Sequence, residues 1–197
     1  MPDVPDYNGG GSPTERKWLP GECDVPVRNG VWLWQPNTEG RLFSVSQLMD
    51  KYYRSVGHNC NLLLNANPDQ DGLIPEPDMK RYKEFGDEIR RRFGKSLAET
   101  SGEGNMVELQ LGQPKTIDHV TLMEQITKGE RVREYVVEGK VGDQWQIIGG
   151  GTCIGHKRIQ RITPIEVTAV RVRVTASVGT PLIRKLAVYD TTAHLSR

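Results

Sequence analysis

Two carboxylates and three tryptophans near the start of the chain are the residues best suited to chemistry. Glu22 and Asp24 lie in a Pro- and Gly-rich segment together with Trp18, Trp32 and Trp34. Tryptophan rings stack on the C–H faces of sugars, and carboxylates bind sugar hydroxyl groups. Glycoside hydrolysis usually needs two carboxyl groups about 5 to 9.5 Å apart, which residues two apart on a strand satisfy. Aromatic packing at the rim of a core explains the same residues equally well.

A second set of polar residues follows the spacing of an EF-hand calcium loop. Positions 1, 3, 5, 6 and 12 of that loop would be Asn67, Asp69, Asp71, Gly72 and Asp78. Position 12 is Asp where a longer Glu is usual, prolines restrict the loop, and the preceding residues resemble a strand rather than a helix. We therefore expect a turn between a strand and a helix, with calcium binding as the alternative.

The remaining candidates for metal or phosphate binding are better explained by ordinary structural roles. The histidines share no short ligand spacing, and Cys23, Cys60 and Cys153 form neither a disulfide framework nor a metal knuckle. The glycines at 149–151 lie between predicted strands, which favours a hairpin or bulge over a phosphate-binding loop. We expect no metal and no cofactor.

The charge and hydrophobicity of the chain argue against nucleic acid and membranes as partners. The 197 residues carry 26 Lys plus Arg against 25 Asp plus Glu, a net charge of +1, so no uniform field attracts nucleic acid or an anionic membrane. Apolar runs are much shorter than the ~20 residues of a membrane span, and the N-terminus lacks the features of a secretory signal. The length fits one domain or two small ones.

The first half of the chain reads as helix, buried strand, helix. A capping box at Ser44 and helical apolar spacing predict a helix over 45–56, and Pro75 and Pro77 open another over 78–93 with Met79 inward. The apolar run 60–65 between them predicts a fully buried strand. Its best strand partner is Val31–Trp34. One parallel pair is too small a sheet, so this half resembles an excerpt from a larger α/β sheet.

Beyond residue 98 the periodicity changes to two. Six or more short strands in about a hundred residues predict an antiparallel β-sandwich. On one strand Val170, Val172 and Val174 should face inward and Arg171 and Arg173 outward. The junction is expected within 94–105, where Ser, Gly and Asn give a linker composition, so the predicted domains are 1–98 and 99–197.

Several segments also resemble a known family. They are 18–28 (WLPGECDVPVR), 32–34 (WLW), 52–65 (YYRSVGHNCNLLLN) and 71–74 (DGLI), followed more loosely by 120–155. These resemble the end of the catalytic domain of α-L-fucosidases of glycoside hydrolase family 29, in the branch acting on α-1,3/1,4-linked fucose, and the galactose-binding-like domain that follows it.

The resemblance implies a fold: the last βα units of a (β/α)8-like barrel, followed by an antiparallel β-sandwich of galactose-binding-like jelly-roll type. It implies a retaining mechanism whose Asp nucleophile and Glu acid are expected upstream, so no catalytic residue is assigned here. Glu22 would position substrate or a loop, and Trp32 and Trp34 would contact substrate, a fucosylated glycan. Leu33 and His58 depart from the family's usual Phe and Arg.

The resemblance also implies a partner, the missing N-terminal part of the catalytic domain. Without it, apolar side chains of the two helices should be less buried than core residues usually are: Val45, Leu48, Tyr52, Phe85 and Ile89. Two alternatives remain, a scaffold without a ligand and a stand-alone carbohydrate-binding or structural sandwich. The second would use Trp145, His156, Lys157 and Arg158.

Overall fold

The computed structural model describes residues 21–192. In chain order the elements are β1 (Glu22–Pro26), α1 (Val45–Arg54), β2 (Asn61–Asn65), α2 (Glu76–Phe93), β3 (Ala98–Glu103), β4 (Met106–Glu124), β5 (Val132–Val141), β6 (Gln144–Gly151), β7 (Arg158–Ser177) and β8 (Leu182–Tyr189). The described chain is thus mostly antiparallel sheet with two α-helices, as the sequence predicts at this coarse level. None of its helices is long and apolar enough to cross a membrane.

Helix α1 begins at the predicted capping box. The Ser44 hydroxyl accepts a hydrogen bond from the Gln47 backbone N–H, and the Gln47 side chain accepts one from the Ser44 N–H. These two bonds satisfy N–H groups that the first helical turn leaves open. The helix ends at Arg54, two residues earlier than expected, where Ser55 donates its hydroxyl to the Lys51 carbonyl.

Helix α2 begins at Glu76 with Pro77 in its first turn, where a missing N–H costs nothing. Phe85 is buried, but the prediction that Met79 faces inward is wrong, because its side chain is 54% exposed. The inward position of the first turn belongs to Asp78, which is fully buried. Met79 follows it about 100° further round the helix and therefore faces outward.

Strands β1 and β2 form a two-stranded parallel sheet, with Glu22 opposite Asn61 and Pro26 opposite Asn65. The predicted partner of β2, Val31–Trp34, is therefore wrong, because those residues follow a turn instead. The prediction that β2 is fully buried is also wrong: Leu62 and Leu64 pack against the helices, but Leu63 is 49% exposed. One face of this sheet is covered by helices, and the other is open.

The remaining strands form one antiparallel sheet in the order β3-β8-β4-β7-β5-β6. The long strands β4 and β7 lose register between Gln110 and Lys115, so their two ends pair with different neighbours: β8 with the end of β4, and β5 with the end of β7. Apolar side chains from both ends meet in one core. Val170, Val172 and Val174 are buried within it, while Arg171 and Arg173 lie on the other side, which confirms that prediction.

Residues 98–103 do not form a linker. They form β3, an edge strand paired with β8, so the linker expected around 101–105 shrinks to the turn between β3 and β4. Gly102 lies close to Val107, where an added Cβ would be 3.1 Å from a valine methyl group. Close packing against β4 therefore accounts for a glycine that composition attributed to flexibility.

The inner faces of the two helices are well covered. Contrary to expectation, Leu48, Tyr52 and Phe85 are at most 7% exposed, and Val45 and Ile89 are partly buried. The helices pack on each other, on β2 and on Ile159 of the antiparallel sheet. The two helices, β2 and Ile159 together thus supply the cover that the prediction assigned to other elements.

An aromatic seam joins the helices to the antiparallel sheet. It consists of Tyr53 and Phe93 from the helices with His119 and Tyr189 from the sheet. The Tyr53 and His119 rings stack with centroids 5.3 Å apart, and Phe93 meets Tyr189 edge-on at 5.3 Å. Edge-on and stacked aromatic pairs add to the area that they bury, so this seam holds the two layers together.

A second contact between the first half of the chain and the antiparallel part lies at 57–59, just before β2, and we call it the joint. The Asn59 backbone N–H donates to the Lys157 carbonyl, and the Asn59 side chain accepts from the His156 N–H at 2.6 Å. Gly155 has a φ of +60°, and a Cβ there would lie 2.2 Å from the Asn59 amide. Only glycine fits this contact.

Glu88 on α2 orders two arginines that contact other parts of the chain, the segment after β8 and helix α1. Its carboxylate accepts from Arg91 and Arg92 at 2.6 Å, while Arg91 also donates to the Thr191 carbonyl and Arg92 to the Tyr53 hydroxyl. Hydrogen bonds from Arg91, then from Arg92, lower the pKa of Glu88 from about 4.5 to about 2. The ionised form is therefore favoured by folding.

We predict that Glu88→Gln removes an acid-sensitive part of the stability. A carboxyl group with a lowered folded pKa stabilises the fold above its unfolded pKa, and that contribution is lost as the pH falls from about 4.5 towards 2. After a discount for solvent screening we expect about 1–2 kcal/mol. Urea unfolding at several pH values should show that the variant is less stable than wild type at pH 7 and similar to it near pH 2.

The matched control is Glu84→Gln, which removes a carboxylate paired with one arginine, Arg81, on the same helix. It should change stability by less than half a kcal/mol, because a single ion pair between partly exposed side chains contributes little. An equal loss for both variants at every pH would contradict the role given to Glu88.

Candidate functional site

The open face of the β1–β2 sheet carries the candidate carboxylates. Glu22, Asp24, Asn61 and Leu63 are exposed and lie on one side of the two strands; we call them the outer face. Glu22 and Asp24 are neighbours on this face, about 6.6 Å apart along the strand. The structure therefore brings the two carboxylates together as expected, on an open surface.

Trp32 and Trp34 follow β1 after a tight turn. The Val31 N–H donates to the Arg28 carbonyl at 2.9 Å, and Gly30 in the third turn position has a φ of +69°, which favours glycine. Trp32 is 52% and Leu33 79% exposed, while Trp34 is half-buried. Trp32 and Leu33 therefore lie on the surface, and Trp34 is partly covered.

Two asparagines, to which the sequence pattern gives no such role, hold this segment. The Asn65 side chain donates to the Trp32 carbonyl at 2.9 Å, and the Asn67 side chain donates to the Val31 carbonyl at 3.0 Å. Both follow the apolar part of β2. Because the carboxyl ends of parallel strands meet at one edge, polar residues just after a predicted strand were the available signal.

A buried ion pair fixes the start of the turn. Arg28 and Asp78 are both fully buried, and the guanidinium donates to both carboxylate oxygens at 3.0–3.1 Å. Arg28 also donates to the Thr38 hydroxyl at 2.7 Å and to Glu39 at 3.3 Å. The guanidinium therefore ties the end of β1 to the start of α2 and to the loop after Trp34.

The candidate residues divide between the two ends of the sheet. Trp32 contacts Asn65 at the carboxyl end, whereas Glu22 lies at the amino end, four residues or about 13 Å of strand away. Trp18, the third tryptophan of the predicted cluster, lies outside the described residues. The structure thus groups Glu22 with Asp24, and the Trp32 segment with Asn65 and Asn67.

The residues with calcium-loop spacing form hydrogen bonds and an ion pair within the chain. Asp78 binds Arg28, Asn67 holds Val31, and Asp69 accepts from the Asp71 and Leu73 N–H groups in a turn. Within residues 21–192 no group of three or more His, Cys, Asp or Glu side chains is arranged to hold a metal ion. This segment is a turn between β2 and α2.

The residues proposed for a stand-alone binding module serve other contacts. Lys157 donates to the Tyr52 hydroxyl at 2.9 Å, Arg158 is buried, and the His156 N–H bonds Asn59. Arg171 covers the Trp145 ring, with its guanidinium carbon 4.1 Å from the ring centroid. Three of the four predicted residues therefore lie at or near the joint with the helices, and the fourth is engaged by an arginine.

Comparison with known proteins shows what this arrangement is similar to. A rice (Oryza sativa) protein classed as α-L-fucosidase 1 is 29% identical over 221 aligned positions, covering 94% of this chain and 42% of its own length. A crystal structure from Bacteroides thetaiotaomicron, also classed as an α-L-fucosidase, is 40% identical with a TM-score of 0.89 and covers 91% of this chain and 43% of its own.

A glycoside hydrolase 29 family member from a rumen bacterium is 33% identical, with a TM-score of 0.83 over 91% of this chain and 34% of its own. No protein-family model matches. The fold and its motifs are thus those of a relative of glycoside hydrolases. More particularly, the resemblance to family 29 α-L-fucosidases is confirmed, over the C-terminal part of their chains. The chain spans about two-fifths of the length of the rice relative.

We predict that Asp78→Asn strongly destabilises the fold, because it leaves the buried Arg28 charge with only the more exposed carboxylate of Glu39, at 3.3 Å, as a counter-ion. The expected loss is about 3–5 kcal/mol, measured by urea unfolding at neutral pH. A double variant, Arg28→Met with Asp78→Leu, should recover most of the loss, because it buries no charge.

The control for this prediction is Asp71→Asn on the exposed turn before α2. It should stay within about half a kcal/mol of wild type. If Asp78→Asn behaved like Asp71→Asn, the ion pair would not be what fixes the turn.

Proposed function

We propose that this chain is the C-terminal portion of a retaining α-L-fucosidase that hydrolyses α-L-fucosyl linkages in glycans, and that it does not hydrolyse them alone. One observation carries the proposal. Relatives classed as fucosidases match nearly the whole chain, while the chain matches only part of them.

The proposed fold divides the chain into 1–98 and 99–197. β1, α1, β2 and α2 would be the last βα units of a (β/α)8-like barrel, and the antiparallel sheet a galactose-binding-like sandwich. The parallel β1–β2 pair supports the barrel assignment, since parallel strands usually belong to larger sheets with both faces covered. The register shifts in β4 and β7 support the sandwich, since they let each strand serve two sheets.

The proposed site roles follow the geometry. In barrel enzymes substrate binds at the carboxyl ends of the strands, which is the end where Asn65 and Asn67 hold the backbone at Trp32 and Val31. Trp32 and Trp34 would contact the fucose or its neighbouring sugar. Glu22, at the amino end, would position substrate only indirectly, through β1 and the loop that follows.

The chemistry itself needs two carboxyl groups from other parts of the protein. A retaining glycosidase uses one as nucleophile, which forms a glycosyl-enzyme intermediate, and one as acid and then base. Glu22 and Asp24 are neighbours on the outer face, but Glu22 lies at the end of the sheet remote from Trp32 and Asp24 lies in the middle of β1. We therefore assign neither as catalytic, and the partner proposed for this chain is the N-terminal part of the catalytic domain.

We predict no turnover of an aryl α-L-fucoside by the purified chain above the rate in buffer. Loss of both catalytic carboxylates removes orders of magnitude in kcat. An intact family 29 fucosidase at the same concentration is the positive control. Hydrolysis by the chain at a comparable rate would overturn the proposal.

We also predict that the outer face binds the N-terminal part of a relative. Leu63→Lys should weaken that association about 10- to 100-fold, because it replaces the apolar side chain of the outer face with a charge that association would bury. The matched control is Ile147→Lys on β6, a residue 67% exposed but outside the β1–β2 sheet. Calorimetry or analytical size exclusion with the N-terminal part of the Bacteroides thetaiotaomicron relative measures both; equal effects would count against this interface.

A further inference from the structure

Two cysteines meet behind the outer face. The Cys23 and Cys60 Sγ atoms lie 2.7 Å apart although 37 residues separate them in sequence. A disulfide bond is about 2.05 Å long, so the two sulfur atoms are within about 0.7 Å of bonding distance. The spacing of the cysteines in the sequence gave no sign of this pair.

The strand pairing explains the contact. Cys23 lies opposite Leu62 in the parallel register, and Cys60, two residues before Leu62, shares its side of the sheet. Hydrogen bonds hold the backbone on both sides of Cys60: its N–H donates to the Ser55 carbonyl, and the Asn61 N–H donates to the Gly21 carbonyl. A bond between the sulfur atoms needs only small side-chain movement.

We propose that Cys23 and Cys60 form a disulfide that joins β1 to β2, with a low-molecular-weight disulfide such as oxidised glutathione as the oxidant. The Cys23 thiolate attacks one sulfur of oxidised glutathione, and one glutathione thiolate leaves. Cys60 then gives its proton to solvent and attacks the Cys23 sulfur, which releases the second glutathione. Two protein thiols are oxidised, and one glutathione disulfide is reduced to two thiols.

The environments of the two thiols set this order. Cys60 is 7% exposed, and burial, followed by the adjacent Cys23 and Glu22, raises its pKa to about 12. Cys23 is half-buried and is the thiol that an oxidant reaches. Thiolate character and access decide which cysteine reacts first, so Cys23 is the entry point and Cys60 the resolving residue.

The bond would restrain the candidate site. It closes the loop from 23 to 60, which includes Arg28 and the segment of Trp32 and Trp34. Cross-linking a loop of this length removes freedom mainly from the unfolded chain. The oxidised protein should therefore unfold about 10 °C higher than the reduced protein.

The test equilibrates the folded chain with oxidised glutathione, unfolds it in denaturant that contains N-ethylmaleimide to block the remaining thiols, and maps peptides by mass spectrometry without reduction. We expect a cross-linked peptide that contains Cys23 and Cys60, one blocked thiol at Cys153, and reversal by dithiothreitol. Cys153 is the internal control, because it is also buried but lies in the antiparallel part. Cys153→Ser should keep the cross-link, and Cys23→Ser and Cys60→Ser should lose it.

Three results would overturn the proposal: three blocked thiols after equilibration, a stable glutathione adduct on Cys23 that Cys60 does not displace, or a cross-link that involves Cys153. The thermal shift gives an independent reading on the wild-type chain. No rise in the unfolding midpoint on oxidation would contradict a bond between β1 and β2. The proposal does not rest on the fucosidase assignment, since neither measurement uses activity.

Discussion

The buried guanidinium of Arg28 is the constraint around which the first part of the chain is arranged. A charge without solvent contact is tolerated only when partners satisfy it, and Asp78, Thr38 and Glu39 together do so. These partners come from the start of α2 and from the loop that follows Trp34. The position of the surface tryptophans therefore depends on a charge in the interior, and the helix N-terminus favours the carboxylate that binds it.

The second constraint lies where the helices meet the antiparallel sheet. His119 stacks on Tyr53 with Asp118 bonded to its Nδ1, and burial lowers the pKa of His119, which favours the neutral ring. Asp118 in turn accepts from the Thr191 N–H and hydroxyl. A polar network thus lies inside the aromatic seam. The segment at 57–59 adds a contact with residues 156–157, just before β7.

Local sequence patterns predict most of the helices and strands, but they do not predict the tertiary contacts between them. The capping box at Ser44, the first-turn Pro77 and the alternation of Val170 to Val174 act over a few residues, and the structure has each of them. The partner of β2, the exposure of Leu63 and the inward turn of Asp78 depend on contacts tens of residues apart. A pattern that counts Asp as polar cannot indicate a buried salt bridge. It therefore predicts Met79 at the inward position that Asp78 occupies.

The candidate site shows the same difference between residue type and tertiary position. Residue type makes candidates of Glu22, Trp32 and Trp34. It carries no information about which end of a strand a residue occupies. Register decides this, and it separates Glu22 from the tryptophans by the length of β1. It also brings Cys23 and Cys60 together on the covered side of the sheet while Glu22 and Asp24 share the open one. The two faces of this small sheet thus differ in composition: helices and two adjacent thiols lie on the inner face, and the outer face presents carboxylates around the half-exposed Leu63.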